Sequence, residues 1–114
     1  METFGQKIRR LRKSRRITQA ELAESIGVDF TYISKIENDK NLRTPAESTI
    51  RKLATFLETD AEELILSAKK VPQNFRDAIV DDKLVVDFLR VVPKLNETQR
   101  DIIEKIIEMA EAKS

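Results

Sequence analysis

The side chains of this sequence that could do chemistry are carboxylates, hydroxyls, amides and cations, because its 114 residues include no cysteine and no histidine. The chain therefore lacks thiol nucleophiles, thiolate and imidazole metal ligands, and the most common general base. One carboxylate cluster is the only basis for an enzyme or a metal site: Asp77, Asp81, Asp82 and Asp87. Asp81 and Asp82 are better explained as a helix cap and solvated charge, so we expect no enzyme, no metal and no cofactor.

Positive charge is concentrated at the start of the chain. Residues 1–16 contain seven basic side chains and one acid, and residues 1–70 contain 14 basic and 11 acidic residues. Residues 71–114 reverse the balance, with seven basic and nine acidic residues. This asymmetry favours a first part that faces a polyanion and a second part with a different role. On charge alone, a basic helix face that is merely solvated explains the first part equally well.

Two helices with a short turn between them are predicted near the middle of the first part. Thr18, with Glu21 three residues later, forms a capping box that starts a helix. Gly27 follows nine residues after Thr18 and suits a sharp turn with positive φ at the end of that helix. Asp29 can then cap the next helix, which is expected to run over residues 30–38.

Further start signals predict three more helices within the first 70 residues. Thr3 can cap the first helix of the chain, Thr44–Glu47 has the pattern of a second capping box, and Asp60 opens a further helix. Five short helices with tight connections are enough for one small core. Val71–Pro72 is the best candidate for a domain boundary, and residues 71–114 show the pattern of additional short helices.

Residues 19–38 read QAELAESIGVDFTYISKIEN and have the spacing of a helix-turn-helix motif. Ala23 is small where two such helices would cross, Gly27 provides the turn, and Ile33 can pack the second helix onto the first. The sequence resembles the Cro/cI-type (XRE) family of helix-turn-helix DNA-binding proteins. The resemblance covers roughly residues 5–68, in the segments IRRLRKSRRITQAELAESIGV, YISKIEN, STIRKLATFL and DAEEL.

This resemblance implies an all-α fold: a five-helix, lambda-repressor-like DNA-binding domain at residues 1–70 and a small helical dimerisation or regulatory region at residues 71–114. It also implies that the helix at residues 30–38 enters the major groove of double-stranded DNA, where the base edges carry a distinctive donor and acceptor pattern. The side chains expected to contact bases are Phe30, Thr31, Ser34, Lys35 and Asn38. Those expected to contact phosphates are Gln19, Tyr32, Lys40 and Arg43.

Two positions are expected to hold the motif together rather than to touch DNA. In similar domains an arginine of the first helix pairs with a glutamate at the end of the recognition helix, and Arg12 and Glu37 match these positions. The remaining cations of the first helix could contact phosphates, although about half are expected to be only solvated: Arg9, Arg10, Lys13, Arg15 and Arg16. Two alternatives stay open, because Phe30 could shield the core and Gln19 could be a solvated surface residue.

The last helix carries an apolar stripe that is too large to leave in water. Residues 71–114 could bury this stripe internally, against residues such as Phe88, or in a homodimer. Because so short a segment forms only a thin core, we expect a dimer interface. The residues expected in it are Ile102, Ile103, Ile106, Ile107 and Met109. Alternatively, this region docks a regulatory protein such as a toxin, an antirepressor or a protease.

Together these features predict a sequence-specific regulator of transcription, a repressor that binds a palindromic operator as a homodimer. The alternative is an antitoxin, or a repressor of the phage or mobile-element type, whose C-terminal region docks a protein partner. The apolar runs, such as Leu84–Val86, are far too short to cross a membrane, and no apolar stretch follows the basic N-terminus. We therefore expect a cytoplasmic protein without membrane association.

Overall fold

The computed structural model describes residues 1–40 and 43–112, and this part of the chain is helical, without a strand. A 3₁₀ turn at Val92–Lys94 precedes the last helix. The α-helices are α1 (Phe4–Ser14), α2 (Gln19–Ile26), α3 (Phe30–Glu37), α4 (Glu47–Phe56), α5 (Ala61–Ser67), α6 (Gln73–Asp81), α7 (Lys83–Val91) and α8 (Glu97–Glu111). The prediction of an all-α fold with a five-helix bundle followed by a helical region is confirmed.

The chain divides into two compact units, Met1–Gln73 and Asn74–Ser114. The first unit extends past residue 70 because Pro72 is fully buried and the Gln73 N–H donates to the Glu47 carboxylate at 3.0 Å. The expected division of labour, with DNA binding in residues 1–70 and dimerisation in residues 71–114, stays a prediction.

The first unit has a core of aliphatic side chains to which all five helices contribute. Each helix contributes at least one completely shielded side chain, among them Ile8, Leu22, Ile33, Leu53 and Ile65. Helix α3 packs against α1 and α2, while α4 packs against α2 and α5. Burial of an aliphatic side chain contributes about 1.5–3 kcal/mol, so this core holds α3 firmly in the bundle.

Three predicted helix starts in the first unit are confirmed. Thr3 forms a capping box with Gln6 at the start of α1, and Thr18 forms one with Glu21 at the start of α2. At the start of α5, the Asp60 side chain accepts a hydrogen bond from the backbone N–H of Glu63. In each case a side-chain oxygen satisfies a backbone N–H that has no acceptor within the helix.

One predicted N-cap position is confirmed without its side-chain hydrogen bond, and one predicted capping box is wrong. Asp29 is the N-cap residue of α3, but its side chain makes no capping hydrogen bond. The predicted box at Thr44–Glu47 does not form, because α4 begins at Glu47 with Ala46 as its N-cap residue. The Glu47 carboxylate instead accepts hydrogen bonds from the Arg51 guanidinium and from the N–H of Gln73.

The turn between α2 and α3 has the predicted form. Gly27 has φ +73°, in the left-handed region, and Val28 N–H donates to the Ala23 carbonyl at 2.9 Å. This bond satisfies a carbonyl at the end of α2 while the chain reverses direction. Ala23 is buried, as expected for a position where the two helices pack closely.

The second unit contains α7, α8 and all but the first residue of α6. Its helix starts follow the predicted signals: Asp82 accepts from Leu84 N–H before α7, and Asn96 forms a capping box with Gln99 before α8. Between residues 74 and 112, no side chain reaches the degree of burial seen in the core of the first unit. In the described part of the chain, no helix has the length and apolar character needed to span a membrane.

Candidate nucleic-acid interface

Helix α3 has one buried and one exposed face. Its inward face carries Ile33, Ile36 and Glu37, all buried in the first unit. The outward face carries four of the five residues predicted to contact bases, and the fifth, Ser34, is half-buried. The exposed four are Phe30, Thr31, Lys35 and Asn38. With 53% of its surface exposed, Phe30 contributes little to shielding the core.

Asn38, the C-cap residue of α3, and Tyr32 within α3 make local contacts that bear on what their side chains can bind. The side-chain amide nitrogen of Asn38 donates to the Ser34 carbonyl at 2.8 Å, so one N–H of that amide is used within the helix. Tyr32 packs partly against the core, and this burial raises the pKa of its hydroxyl above the usual value. A tyrosine hydroxyl is protonated at neutral pH in any case, so it can donate a hydrogen bond to a phosphate oxygen.

The structure brings Arg12 and Glu37 together in a bidentate ion pair. Arg12 Nε lies 2.6 Å from Glu37 Oε2, and Arg12 Nη2 lies 3.0 Å from Glu37 Oε1. The Glu37 side chain is only 1% exposed, and Arg12 Nη1 also donates to the Ile17 carbonyl at 2.8 Å. The pair therefore joins α1 to the end of α3, and removal of one partner would leave a buried charge uncompensated.

Gln19 joins this cluster from the start of α2. Its side-chain nitrogen donates to Glu37 Oε1 at 3.0 Å, and the residue is half-buried. The open alternative of a purely solvated Gln19 is therefore wrong. Because an amide nitrogen carries two hydrogens, the same group still has one N–H that can donate to a phosphate.

Two of the further cations that could contact phosphates, Arg10 and Arg15, form ion pairs with residues of the first unit. Arg15 Nε donates to the Leu57 carbonyl at 2.6 Å, and the Arg15 guanidinium also pairs with Glu58. Arg10 pairs with Glu2 at 2.8 Å on the surface. Arg15 thus closes the end of α4 onto α1, a role that local sequence could not reveal because the partners lie 42 and 43 residues away.

Lys40 and Arg43 follow α3 and are both exposed. The backbone N–H of Lys40 donates to the Lys35 carbonyl at 2.9 Å, which ties the first residue of this connection to the last turn of α3. Two long exposed cations that follow α3 in the sequence are suited to phosphate oxygens. Three predicted phosphate contacts thus lie near α3. Gln19 bonds to Glu37 of α3, while Lys40 and Arg43 follow α3 in the sequence.

A family model described as helix-turn-helix, HTH_3, matches residues 8–64. These residues lie within the segment that resembles the XRE family, so that prediction is confirmed. The matched segment contains α2, α3 and all of α4.

Three relatives are similar over part of their length. RghRB of Bacillus subtilis (strain 168), an uncharacterized HTH-type transcriptional regulator, is 41% identical over 81 residues, which are 68% of this chain and 58% of the relative. The HTH-type transcriptional repressor RghR of the same strain is 43% identical over 60% of this chain and 50% of its own length. The immunity repressor protein of Bacillus phage phi105 is 38% identical over 48% of this chain and 37% of its own. The chain thus spans about half the length of the first two relatives.

A solved structure has the same fold. One chain from a SinR protein/SinI protein complex aligns with a TM-score of 0.54 and 19% identity, over 96% of this chain and 99% of that chain. At this level of identity, the similarity concerns the fold alone.

Proposed function

The chain belongs to the helix-turn-helix family, and from this premise we propose that it is a transcriptional repressor that binds a palindromic DNA operator as a homodimer. The observation that carries the proposal is the two-sided character of α3. Its buried face is fixed to α1 and α2, while its other face presents an aromatic ring, a hydroxyl and a cation at Phe30, Thr31 and Lys35. A helix held in this way can enter the major groove and present these side chains to base edges.

Each exposed side chain of α3 has a base feature that it can recognise. The Lys35 ammonium can donate to guanine O6 and N7, and Thr31 can bond to several bases. The Phe30 ring can pack against a thymine methyl group. Ser34 and Asn38 lie on the same helix and complete the proposed reading surface.

The proposed phosphate contacts surround this surface. Gln19 stands at the first position of α2, where the backbone N–H groups of a helix N-terminus also suit a phosphate oxygen. Tyr32 offers a protonated hydroxyl, and Lys40 and Arg43 offer charge. Such contacts orient the protein on the duplex without reading its sequence.

The homodimer follows from how little sequence one recognition helix can read. A single α3 contacts only a few base pairs, too few to select one site among the competitors in a genome. Two copies related by a twofold axis would read two half-sites about one helical turn apart. Apolar surface for such pairing is present in α8, where Ile102, Ile106 and Met109 are each more than half exposed and Ile103 and Ile107 lie on the same helix.

A second candidate occupant of this apolar surface is a regulatory protein. The solved chain of similar fold comes from a complex of two different proteins, SinR and SinI. If a second chain co-purifies with this protein and covers α8, the alternative of an antitoxin or partner-controlled repressor replaces the homodimer. In either case we expect action on DNA in the cytoplasm, without catalysis or a cofactor.

The test is selection of bound DNA from a genomic library, followed by affinity measurements on the recovered site. We expect a palindromic site. Lys35→Ala should lose about 1–3 kcal/mol of binding free energy on that site and relax the base preference at one or two positions.

Arg43→Ala should weaken binding to all sequences about equally. Lys52→Ala removes an exposed cation from α4 and serves as the matched control. Recovery of no preferred site at moderate salt would contradict the proposal.

A further inference from the structure

Asp39 has a left-handed backbone conformation directly after α3. It follows Asn38, the C-cap residue of α3, and has φ +55°. Its N–H donates to the Ile36 carbonyl at 3.1 Å, and the next N–H, of Lys40, donates to the Lys35 carbonyl at 2.9 Å. Glycine is the usual residue at this position of a helix C-terminus, since side chains disfavour positive φ. Arg16, Glu58 and Lys69 also have positive φ in the described part of the chain, so the role of Asp39 is argued from its side-chain contacts.

The Asp39 carboxylate reaches the start of α1. Oδ1 accepts from the backbone N–H of Gly5 at 3.0 Å, and Oδ2 accepts from the Thr3 hydroxyl at 2.7 Å. The Thr3 oxygen in turn accepts from the Gln6 N–H, as part of the α1 capping box. The first turn of α1 contains no acidic residue of its own, so Asp39 supplies the negative charge that a helix N-terminus favours.

Gly5 allows the two helices to approach this closely. A Cβ atom at this position would lie 2.3 Å from the Ile36 carbonyl oxygen and 2.6 Å from Asp39 Oδ1. Neither distance is compatible with a side chain, so the backbone of α1 rests directly on the last turn of α3. Glycine is required here for close approach rather than for an unusual φ.

We propose that Asp39, acting with Thr3 and Gly5, is a positioning clamp that sets the C-terminal half of α3 against α1 and so determines DNA sequence specificity. The clamp rests on the proposed function, because Asp39 does not touch DNA itself. It acts through the proposed DNA contacts Lys35, Asn38 and Lys40. These three residues are exposed and lie within four residues of Asp39 in the sequence. Hydrogen bonds to base edges need close geometry, whereas ionic contacts to phosphates tolerate displacement.

A purely electrostatic role for Asp39 predicts the opposite effect. Removing a negative charge beside the DNA-binding surface would reduce repulsion of phosphates and strengthen binding to all sequences. The clamp instead predicts weaker binding to the operator when the acceptor oxygens are lost. The two explanations therefore predict changes of opposite sign in operator affinity when the Asp39 carboxylate is removed.

The experiment compares Asp39→Gly with Asp39→Asn in the full chain. Both variants remove the charge, and both residues tolerate positive φ, but only asparagine keeps an oxygen that can accept from Gly5 N–H. We expect Asp39→Gly to lower affinity for the selected operator about tenfold and Asp39→Asn to stay within about threefold of the wild type. Affinity for a scrambled duplex should be unchanged or higher in both variants. Equal operator affinities for the two variants would overturn the clamp.

Lys69→Gly is the matched control for the change of backbone. Lys69 also has positive φ, +62°, at the end of a helix, and its N–H donates to the Leu66 carbonyl at 2.9 Å. Operator affinity of this variant should stay within about threefold of the wild type, because its turn does not contact α1 through a carboxylate. A tenfold loss here would mean that any glycine at a helix end is harmful, and would overturn the assignment to Asp39.

Amide hydrogen exchange tests the clamp without DNA. Gly5 is the second residue of α1, where an N–H has no acceptor within the helix and normally exchanges fast. We expect slow Gly5 exchange in the wild type and Asp39→Asn, and exchange about tenfold faster in Asp39→Gly. If Gly5 exchange is the same in all three proteins, the clamp is overturned even if the chain binds an operator. If exchange behaves as expected but the wild type prefers no site, the clamp exists and the proposed function fails, along with the specificity role.

Discussion

The two units of this chain are made of similar amphipathic helices, but they bury very different amounts of apolar surface. In the first unit, each of five helices places a fully shielded aliphatic side chain in one core. In the second unit, Val80 and Leu84 are 82% and 75% exposed, and Ile106 is 54% exposed. A helical apolar pattern thus shows which face needs to be covered, but it does not show whether the same chain covers it.

The largest expected effect is a difference in lost stability between two leucine-to-alanine variants, one in each unit. Leu53→Ala should lower the free energy of unfolding by about 2–5 kcal/mol, because it opens a cavity in a closed core. Leu84→Ala should change it by less than about 0.5 kcal/mol, because little surface is uncovered. Urea unfolding followed by tyrosine fluorescence measures this, since Tyr32 is the only tyrosine, the chain has no tryptophan, and α3 belongs to the first unit.

A large loss of stability of the first unit with Leu84→Ala would contradict the comparison. It would mean that Leu84 is covered in solution in a way that supports the core around Leu53. A small effect of Leu53→Ala would instead show that the first unit can collapse around the missing side chain.

The second effect tests what covers α8. Ile106→Asp places a charge on its apolar surface and should weaken homodimer formation at least tenfold, about 1.4 kcal/mol. Thr98→Asp adds the same charge to the first turn of α8, where an acid suits the helix N-terminus, and should leave the dimer unchanged. Sedimentation equilibrium over a range of concentrations measures both. An Ile106→Asp protein that dimerises like the wild type would remove α8 from the proposed interface.

Local signals in the sequence predicted the helices and the turn because the interacting groups lie close together in the chain. The partners of the Thr18–Glu21 box are three positions apart, and Gly27 determines its own turn. The predicted start of α4 is wrong, since Ala46 is the N-cap residue and Glu47 accepts from the N–H of Gln73, 26 residues away. A local pattern has no information about such a partner.

In the candidate site, too, contacts between residues far apart in the chain could not be predicted from local sequence. Local start and turn signals predict α3 itself, and the resemblance to a family supplies its expected DNA-facing positions and the pairing of Arg12 with Glu37. Neither revealed that Asp39 holds Gly5, 34 residues earlier, because that contact depends on how α1 packs on α3. Nor could the sequence decide between internal burial and a partner for α8, since both solutions have the same apolar pattern.

The smallest expected effect is a difference in pH dependence between the capping boxes of the two units. Hydrogen bonds from the backbone and side chain of Thr18 lower the pKa of Glu21 below its ordinary value, whereas the corresponding residue of α8, Gln99, cannot ionise. The stabilisation from Glu21 is therefore complete above the pKa of an unfolded glutamate and is lost as the pH falls through the lower pKa of the folded state. NMR titration should show the amides of Thr18 and Glu21 responding to acid while those of Asn96 and Gln99 do not. Glu21→Gln should make the α2 cap as insensitive to pH as that of α8, and a Glu21 that titrates at its ordinary pKa would show that its cap is open in solution.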